Sequence, residues 1–271
     1  VDSALLGTAS ERVTRIGARS YNLIANPVMG ENGVRGAVIV LLDVTEKEES
    51  ERMRREFTAN VSHELKTPLT SISGYAEIMQ NGLVRSEDIP RFAGNIYTET
   101  QRLITLVEDI IKLSQLDERA VELERTEMDL RAIAQDVAER LRVPAKQNRI
   151  SIRVSGESAK VLGVGRILDE MIFNLADNAV KYNRTGGKVE ITTGMQDGHA
   201  FVEVADNGIG IPERDRERVF ERFYRVDKSR SKQIGGTGLG LSIVKHGAAF
   251  HNAHVALQSR EGEGTTVRIT F

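Results

Sequence analysis

Hydrophobic positions change their period twice along the chain. Residues 12–29 alternate in part, and Gly36 to Thr45 is a β-rich run after a glycine-bearing turn, so residues 1–44 are predicted to be strands. Two or three strands seldom make a stable sheet alone, which marks this segment as the end of a longer domain. From Glu46 the charge becomes dense and the period helical. Val61, Leu65, Leu69, Ile72, Ala76, Met79 and Leu83 are spaced 4, 4, 3, 4, 3 and 4, a coiled-coil-like seam with one extra residue near its start beside Pro68. Asn81-Gly82 predicts a helix end and Ser86–Pro90 a fresh start. The second helix carries Ile96, Leu103, Leu106, Ile110 and Leu113, spaced 7, 3, 4 and 3. One such hairpin cannot bury both its faces, whereas two can as a four-helix bundle, so a homodimer is expected.

From about Glu127 helices and strands interleave. Helices are predicted over Leu130–Gln147, Ile167–Tyr182 and Thr237–Phe250, and strands over Ile150–Val154, Val189–Thr193, Ala200–Ala205, Val255–Ser259 and Thr265–Phe271. These make an α/β layer large enough for its own core. The expected organisation is 1–44, 45–118, a short charged linker at 119–126, and 127–271.

Composition narrows the function classes. Forty per cent hydrophobic and 28% charged residues describe an ordinary globular chain. The net charge of -2 gives no electrostatic reason for a nucleic-acid partner. With no cysteine, disulfides, thiolate zinc sites and thiol catalysis are excluded together. No apolar run approaches the ~20 residues of a membrane helix, and no signal peptide is visible. Because the chain starts at Val1 and not at a methionine, it is expected to be a cytoplasmic piece of a longer protein, linked to a membrane only through upstream segments.

Three stretches carry chemistry. In Phe57–Thr70, the seam spacing turns Val61, Leu65 and Leu69 inward and His63 outward. Glu64 adjoins that histidine. A carboxylate touching one imidazole nitrogen fixes the tautomer and makes the other nitrogen more nucleophilic. Pro68 lacks an N–H and crowds the Glu64 carbonyl, which predicts a loosened, bent helix. Thr67 lies one turn beyond His63, where a hydroxyl could hold a water. On the helix Ile167–Tyr182, Asn174, Asn178 and Lys181 are spaced 4 and 3 and share one face. An amide oxygen suits Mg²⁺, and an ammonium suits phosphate as a point charge. Asp206 ends a strand and precedes Gly208 and Gly210, where its carboxylate could accept from the exocyclic amine of adenine. Gly236, Gly238 and Gly240 open a helix whose backbone N–H groups and dipole favour phosphate. Taken alone, the histidine reads as solvated surface, and the asparagine stripe reads equally as an exposed polar face. The order of a dinucleotide fold, a P-loop and a kinase catalytic loop are all missing.

Taken together, the stretches are similar to known families. Phe57–Thr70 resembles the H-box of sensor histidine kinases, in the subfamily with a His-Glu-x-x-x-Pro pattern. The C-terminal stretches resemble the nucleotide-binding module shared by histidine kinases, heat-shock-90 chaperones and type II topoisomerases. Asn174 and Asn178 match its N-box, and Asp206, Gly208 and Gly210 its first glycine box. Phe220–Arg225 match its F-box, Gly236, Gly238, Gly240 and Leu241 its second glycine box, and Gly264-Thr265-Thr266 its last. Ile24–Val28, Gly36–Val38 and Asp43–Glu46 resemble the closing strands of a PAS sensor domain.

The resemblance implies a partial PAS segment, a helical hairpin dimerising into a four-helix bundle, and an α/β two-layer sandwich. It implies a protein-histidine kinase of the phosphate-regulon-sensor type using ATP and Mg²⁺. His63 would be the phosphoacceptor, Glu64 its base, and Thr67 the positioner of water for dephosphorylating a response-regulator receiver domain. Asn178 would carry Mg²⁺, Lys181 would meet phosphate, and Tyr182 would line the adenine pocket. Thr266 would support Asp206, Arg225 would approach the transferred phosphoryl, the F-box phenylalanines would anchor core and lid, and residues 226–240 would cover ATP. Three local departures are Val164-Gly165 before the N-box helix, Asn183 after it, and His251-Asn252-Ala253 in place of a His-Gly-Gly turn. The rival readings are a silent dimeric scaffold and a chaperone- or topoisomerase-type ATPase clamp.

Overall fold

A computed structural model describes residues 2–31, 33–117, 123–227 and 236–271. The chain divides into two compact units, residues 1–64 and residues 65–271.

In the first unit a short helix α1 (Asp2–Leu5) precedes an antiparallel meander of β1 (Ser10–Ile16), β2 (Arg19–Gly30) and β3 (Gly33–Asp43), in the order β1-β2-β3. Pro27 stands opposite Ala37 in the central strand, and the register slips just beyond it, between Val28 and Met29. A proline donates nothing to a ladder, so a central strand accommodates it beside such an irregularity. Val38, Ile39, Val40, Leu41 and Leu42 are all exposed, leaving both faces of β3 apolar and bare. Asp43 ties the sheet to the next helix. Its Oδ1 accepts from the Thr45 hydroxyl at 2.6 Å and the Thr45 N–H at 3.0 Å, and these bonds hold its carboxyl below the ordinary range.

Helix α2 (Thr45–Gln80) is continuous through Pro68, and α3 (Ile89–Asp117) follows a short turn. At the end of α2 the Gly82 N–H reaches Met79 O and the Leu83 N–H reaches Ile78 O, a Schellman-type closure. The seam of α2 departs from the expected one. Leu69 is 52% exposed, whereas Pro68 is buried. Val61, Leu65, Pro68, Ile72, Tyr75 and Met79 are spaced 4, 3, 4, 3 and 4, and all are at least half-buried. Two successive steps of four would carry Leu69 about 80° around a helix of 3.6 residues per turn, whereas Pro68 stays on the stripe. Pro68 and Tyr75 thus take the places assigned to Leu69 and Ala76. Tyr75 packs edge-on against Phe92 of α3, with ring centroids 5.6 Å apart. The five expected seam residues of α3 are all at least half-buried.

The rest of the second unit is an α/β sandwich. Its five-stranded sheet has the order β5-β7-β8-β10-β9, formed by β5 (Ser151–Gly156), β7 (Lys188–Gln196), β8 (His199–Asp206), β9 (His254–Arg260) and β10 (Gly264–Thr270). Only the β5–β7 pair is parallel. A two-stranded ribbon joins β4 (Thr126–Asp129) to β6 (Lys160–Gly163). The helices are α4 (Leu130–Arg140), α5 (Arg142–Gln147), α6 (Gly165–Lys181) and α7 (Gly240–Phe250). Alternate residues Val189, Ile191, Val202, Val204, Val267 and Ile269 are buried together with Leu168, Met171, Ile172 and Leu175 of α6 and Leu130, Ala134 and Val137 of α4. Each Val, Leu, Ile or Met among them contributes about 1.5–3 kcal/mol when fully removed from water.

The helix expected over Leu130–Gln147 is two helices that meet at Leu141. Pro144 has no N–H for the Arg140 carbonyl and crowds it, so α4 stops there. The helix expected from Thr237 begins at Gly240. At the turn after α7, Asn252 takes φ 56°, the left-handed conformation that asparagine tolerates. His251 joins α7 to the start of α6. Its Nδ1–H donates to Gly247 O at 2.8 Å and its Nε2 accepts the Val164 N–H at 3.1 Å, so the neutral ring serves both, and burial lowers its pKa. Asn183 closes α6, with its Nδ2 donating to Ala179 O and Lys188 O.

Candidate functional site

His63 lies on the solvent side of α2, with its side chain 80% exposed, and Glu64 Oε1 is 4.0 Å from its Nδ1. A carboxylate at that nitrogen leaves Nε2 as the lone-pair nitrogen. Thr67 is one turn further along the same helix and half-buried. Ser62, Thr70 and Ser71 bond back to carbonyls four residues earlier in this stretch.

The second unit holds a cavity of about 630 Å³ between α6, α7, the end of β8 and α3. Of the predicted residues, Asn174, Asn178, Lys181, Tyr182, Asp206, Gly210, Arg225, Gly236, Gly238, Gly240 and Leu241 line it. Period 3.6 explains the first three, which share one stripe of α6, while the opposite stripe enters the core. Asp206 lines it together with the apolar Ile209, Ile211, Pro212 and Val219. Burial pushes the Asp206 carboxyl up to about 6, against the N–H bonds it accepts from Gly208 and Thr265. The Gly208 N–H reaches Asp206 Oδ1 at 2.7 Å, which is the part Gly208 plays from outside the cavity wall.

Several of these glycines stand where an added Cβ would meet other atoms. Gly210 has φ +67°, and a Cβ there would overlap the Arg260 carbonyl. A Cβ on Gly240 would stand 2.7 Å from Asn174 Oδ1, closing the gap between α6 and the first turn of α7. Asn174, Asn178 and Gly240 of this gap line the same cavity. Asn174 donates from Nδ2 to Glu170 Oε1 at 2.9 Å, and Lys181 is paired with Asp177 at 2.6 Å.

The structure corrects one assignment and adds others. Thr265, not Thr266, lines the cavity and stands opposite Asp206 in the β8–β10 ladder, whereas Thr266 stands opposite Ala205. Adjacent strand residues face opposite sides, so one position decides which threonine serves the site. The Thr265 hydroxyl is 2.8 Å from that of Ser259. Just before the F-box Val219 is buried, and within it Phe220 and Phe223 are half-buried. The Phe223 N–H donates to Gly238 O at 2.9 Å, and Arg225 Nη2 donates to Thr237 O at 3.0 Å. Residues 228–235 of the expected lid, with Gly235 of the second glycine box, and residues 119–122 of the expected linker lie outside the described residues. Sequence reading missed Glu108, Asp109 and Lys112 of α3, Glu170 and Thr237, all of which line the cavity. Two of these left a signal: Asp109 is a charge inside the stripe Leu106, Ile110, Leu113, and Glu170 precedes Asn174 by one turn.

Among the described residues, carboxylates on the cavity wall outnumber cations by seven to three. An anionic ligand would enter such a wall with a compensating cation. Hard oxygen donors such as the Asn178 amide suit Mg²⁺.

Comparison with known proteins agrees with this geometry. Residues 53–119 match the His Kinase A (phospho-acceptor) domain. Residues 163–271 match the family of histidine kinase-, DNA gyrase B- and HSP90-like ATPases. The sensor-like histidine kinase SenX3 of Mycolicibacterium smegmatis is 39% identical over 263 residues, covering 92% of this chain and 68% of that protein. The sensor histidine kinase WalK of Bacillus subtilis is 37% identical over 249 residues, covering 90% of this chain but 41% of WalK. The chain therefore spans between about two-fifths and two-thirds of the length of these relatives. Among solved structures, histidine kinase ThkA in complex with response regulator protein TrrA superposes with a TM-score of 0.65 at 26% identity, covering 97% of this chain and 78% of that one. Two domain matches in the expected order, joined to a relative matched over two-thirds of its length, place this chain in the sensor histidine kinase family.

Proposed function

We propose that the chain is the kinase core of a two-component sensor: the cavity binds Mg·ATP and His63 accepts the γ-phosphoryl. The observation that carries this reading is the grouping of Asn174, Asn178, Asp206 and Gly240 around one cavity in a chain that also exposes His63 beside Glu64. Asp206 accepts the adenine amine among apolar neighbours. Asn178 holds Mg²⁺, which when bound neutralises the triphosphate and its leaving group. Glu64 takes the imidazole proton as the Nε2–P bond forms and the bond from the γ-phosphorus to the β,γ-bridging oxygen of ATP breaks, with ADP leaving. An aspartate of a response-regulator receiver then takes the phosphoryl. Residues 45–118 act as the dimerisation and phosphotransfer domain and 127–271 as the ATP-binding domain, joined by the linker 119–126. Leu69, Ile104, Val107 and Ile111 stay exposed in the single chain, which supports burial in a four-helix bundle with a second copy. Residues 1–44 supply the closing strands of a PAS domain that feeds signals into α2. The fragment works in the cytoplasm, and the longer protein reaches the membrane through segments outside this chain. No described helix is long and apolar enough to cross a membrane.

Two expected outcomes test parts of this reading. Adenine recognition requires ionised Asp206, so adenosine affinity holds above pH 7 and falls as the pH drops through about 6. At pH 5 the loss is about ten-fold for a single group of that pKa. Adenosine is the probe because it has no phosphate to titrate in that range. Asp206→Asn flattens the profile, and an unchanged wild-type profile contradicts the assignment. Thr67→Ala keeps most autophosphorylation and loses most regulator dephosphorylation, because the second reaction alone needs a water aligned by that hydroxyl. If both rates fall together, Thr67 serves only the helix.

A further inference from the structure

The phosphate end of the cavity is walled by α3, a helix of the bundle hairpin. The contact is chemically specific. Asp109 is 9% exposed, and its Oδ2 accepts the Thr237 hydroxyl at 2.7 Å. That hydroxyl in turn accepts the Leu239 N–H at 3.3 Å, immediately before the first residue of α7. One N–H at the start of the phosphate-facing helix is therefore already used, and a carboxylate stands behind it. A helix N-terminus favours an anion, and α7 has eleven residues to supply the dipole. Here the anion that reaches it is the protein's own. Next to it, Lys112 of α3 bonds Glu170 at 3.0 Å, and Glu170 holds the Asn174 amide. Burial pushes the Asp109 carboxyl up, against the Thr237 hydrogen bond, and the charged groups acting on it are Lys112, Glu170 and Lys181.

We propose that Asp109 is an internal anion of the phosphate site, so that docking of α3 through Asp109 and Thr237 and occupancy by a nucleoside triphosphate oppose one another. The inference rests on the nucleotide reading above and adds a regulatory coupling to it. A triphosphate needs the N–H groups and the positive end of α7, and it carries like charge toward Asp109 in one cavity. By linkage the effect is mutual: the triphosphate loosens α3, and a docked α3 weakens the triphosphate. Adenosine, which lacks the phosphates, does neither.

The test uses the whole chain with Mg²⁺ and two probes, ATP and adenosine, titrated by calorimetry. Asp109→Asn keeps an acceptor for Thr237 and removes the charge. It is expected to bind ATP about ten-fold more tightly, with adenosine affinity within about two-fold of wild type. ATP binding that is unchanged or weaker in this variant overturns the proposal. Hydrogen exchange on the wild-type chain gives a second measurement without a mutation. Residues 105–113 lose protection when ATP binds and keep it with adenosine; equal or greater protection with ATP also overturns the proposal. A wild-type chain that binds neither probe contradicts the nucleotide reading itself, before any variant is made.

Discussion

His63→Gln is expected to abolish phosphoryl incorporation from ATP while leaving ATP affinity within about two-fold of wild type. Glutamine keeps a polar side chain of similar length on the exposed face of α2, so the fold has no reason to change. What it lacks is a nucleophilic nitrogen, and Glu64 cannot supply one to an amide. The cavity is built from residues of the other compact unit, and none of its lining residues is replaced. Binding and chemistry therefore separate. Retained label on the variant contradicts the assignment of His63, and a parallel loss of binding contradicts the assignment of the cavity.

Asn178→Ala is expected to remove Mg²⁺-dependent ATP binding, a loss of at least about 100-fold, with the proposed dimer intact. The carboxamide is the hard oxygen donor proposed for the cation in a cavity whose wall is already acidic. Without that ligand, the triphosphate enters a cavity whose whole wall carries seven carboxylates and three cations, with no counter-charge held in place. Alanine is a good helix former and takes no space from α6, so the scaffold persists. The bundle seam of α2 and α3 contains none of the altered atoms. The check is calorimetry with and without Mg²⁺, together with sedimentation of the variant. A variant phosphorylated at the wild-type rate shows that the asparagine stripe has been misread.

Local chemistry was legible in the sequence, and relations between distant elements were not. Asn174, Asn178 and Lys181 share a helix face by spacing alone, and Asp206 before Gly208 announces a strand end with a turn; each lines the cavity. The choice between Thr265 and Thr266 depends on strand register, because a shift of one residue exchanges the two faces. Leu69 fits a seam of aliphatic residues alone, yet Pro68 and Tyr75 keep the regular spacing and are withdrawn from solvent. The break at Leu141 was legible in Pro144, three residues on, and was overridden by an unbroken apolar pattern. The ribbon of β4 and β6 has four residues in each strand, too short for periodicity to register. The approach of α3 to α7 had no local signature beyond one acid in an apolar stripe. That contact is set by tertiary packing, which periodicity within a single helix does not encode.

The central claim is that phosphorus leaves ATP and becomes bonded to nitrogen on His63. The most direct measurement incubates the chain with Mg²⁺ and ATP radiolabelled at the γ-phosphate, then exposes the isolated protein to acid and to base. A phosphoramidate is lost in acid and survives base, and that is the predicted result. Label that survives acid, as a serine or threonine ester does, or no label on a chain that binds ATP, would contradict it.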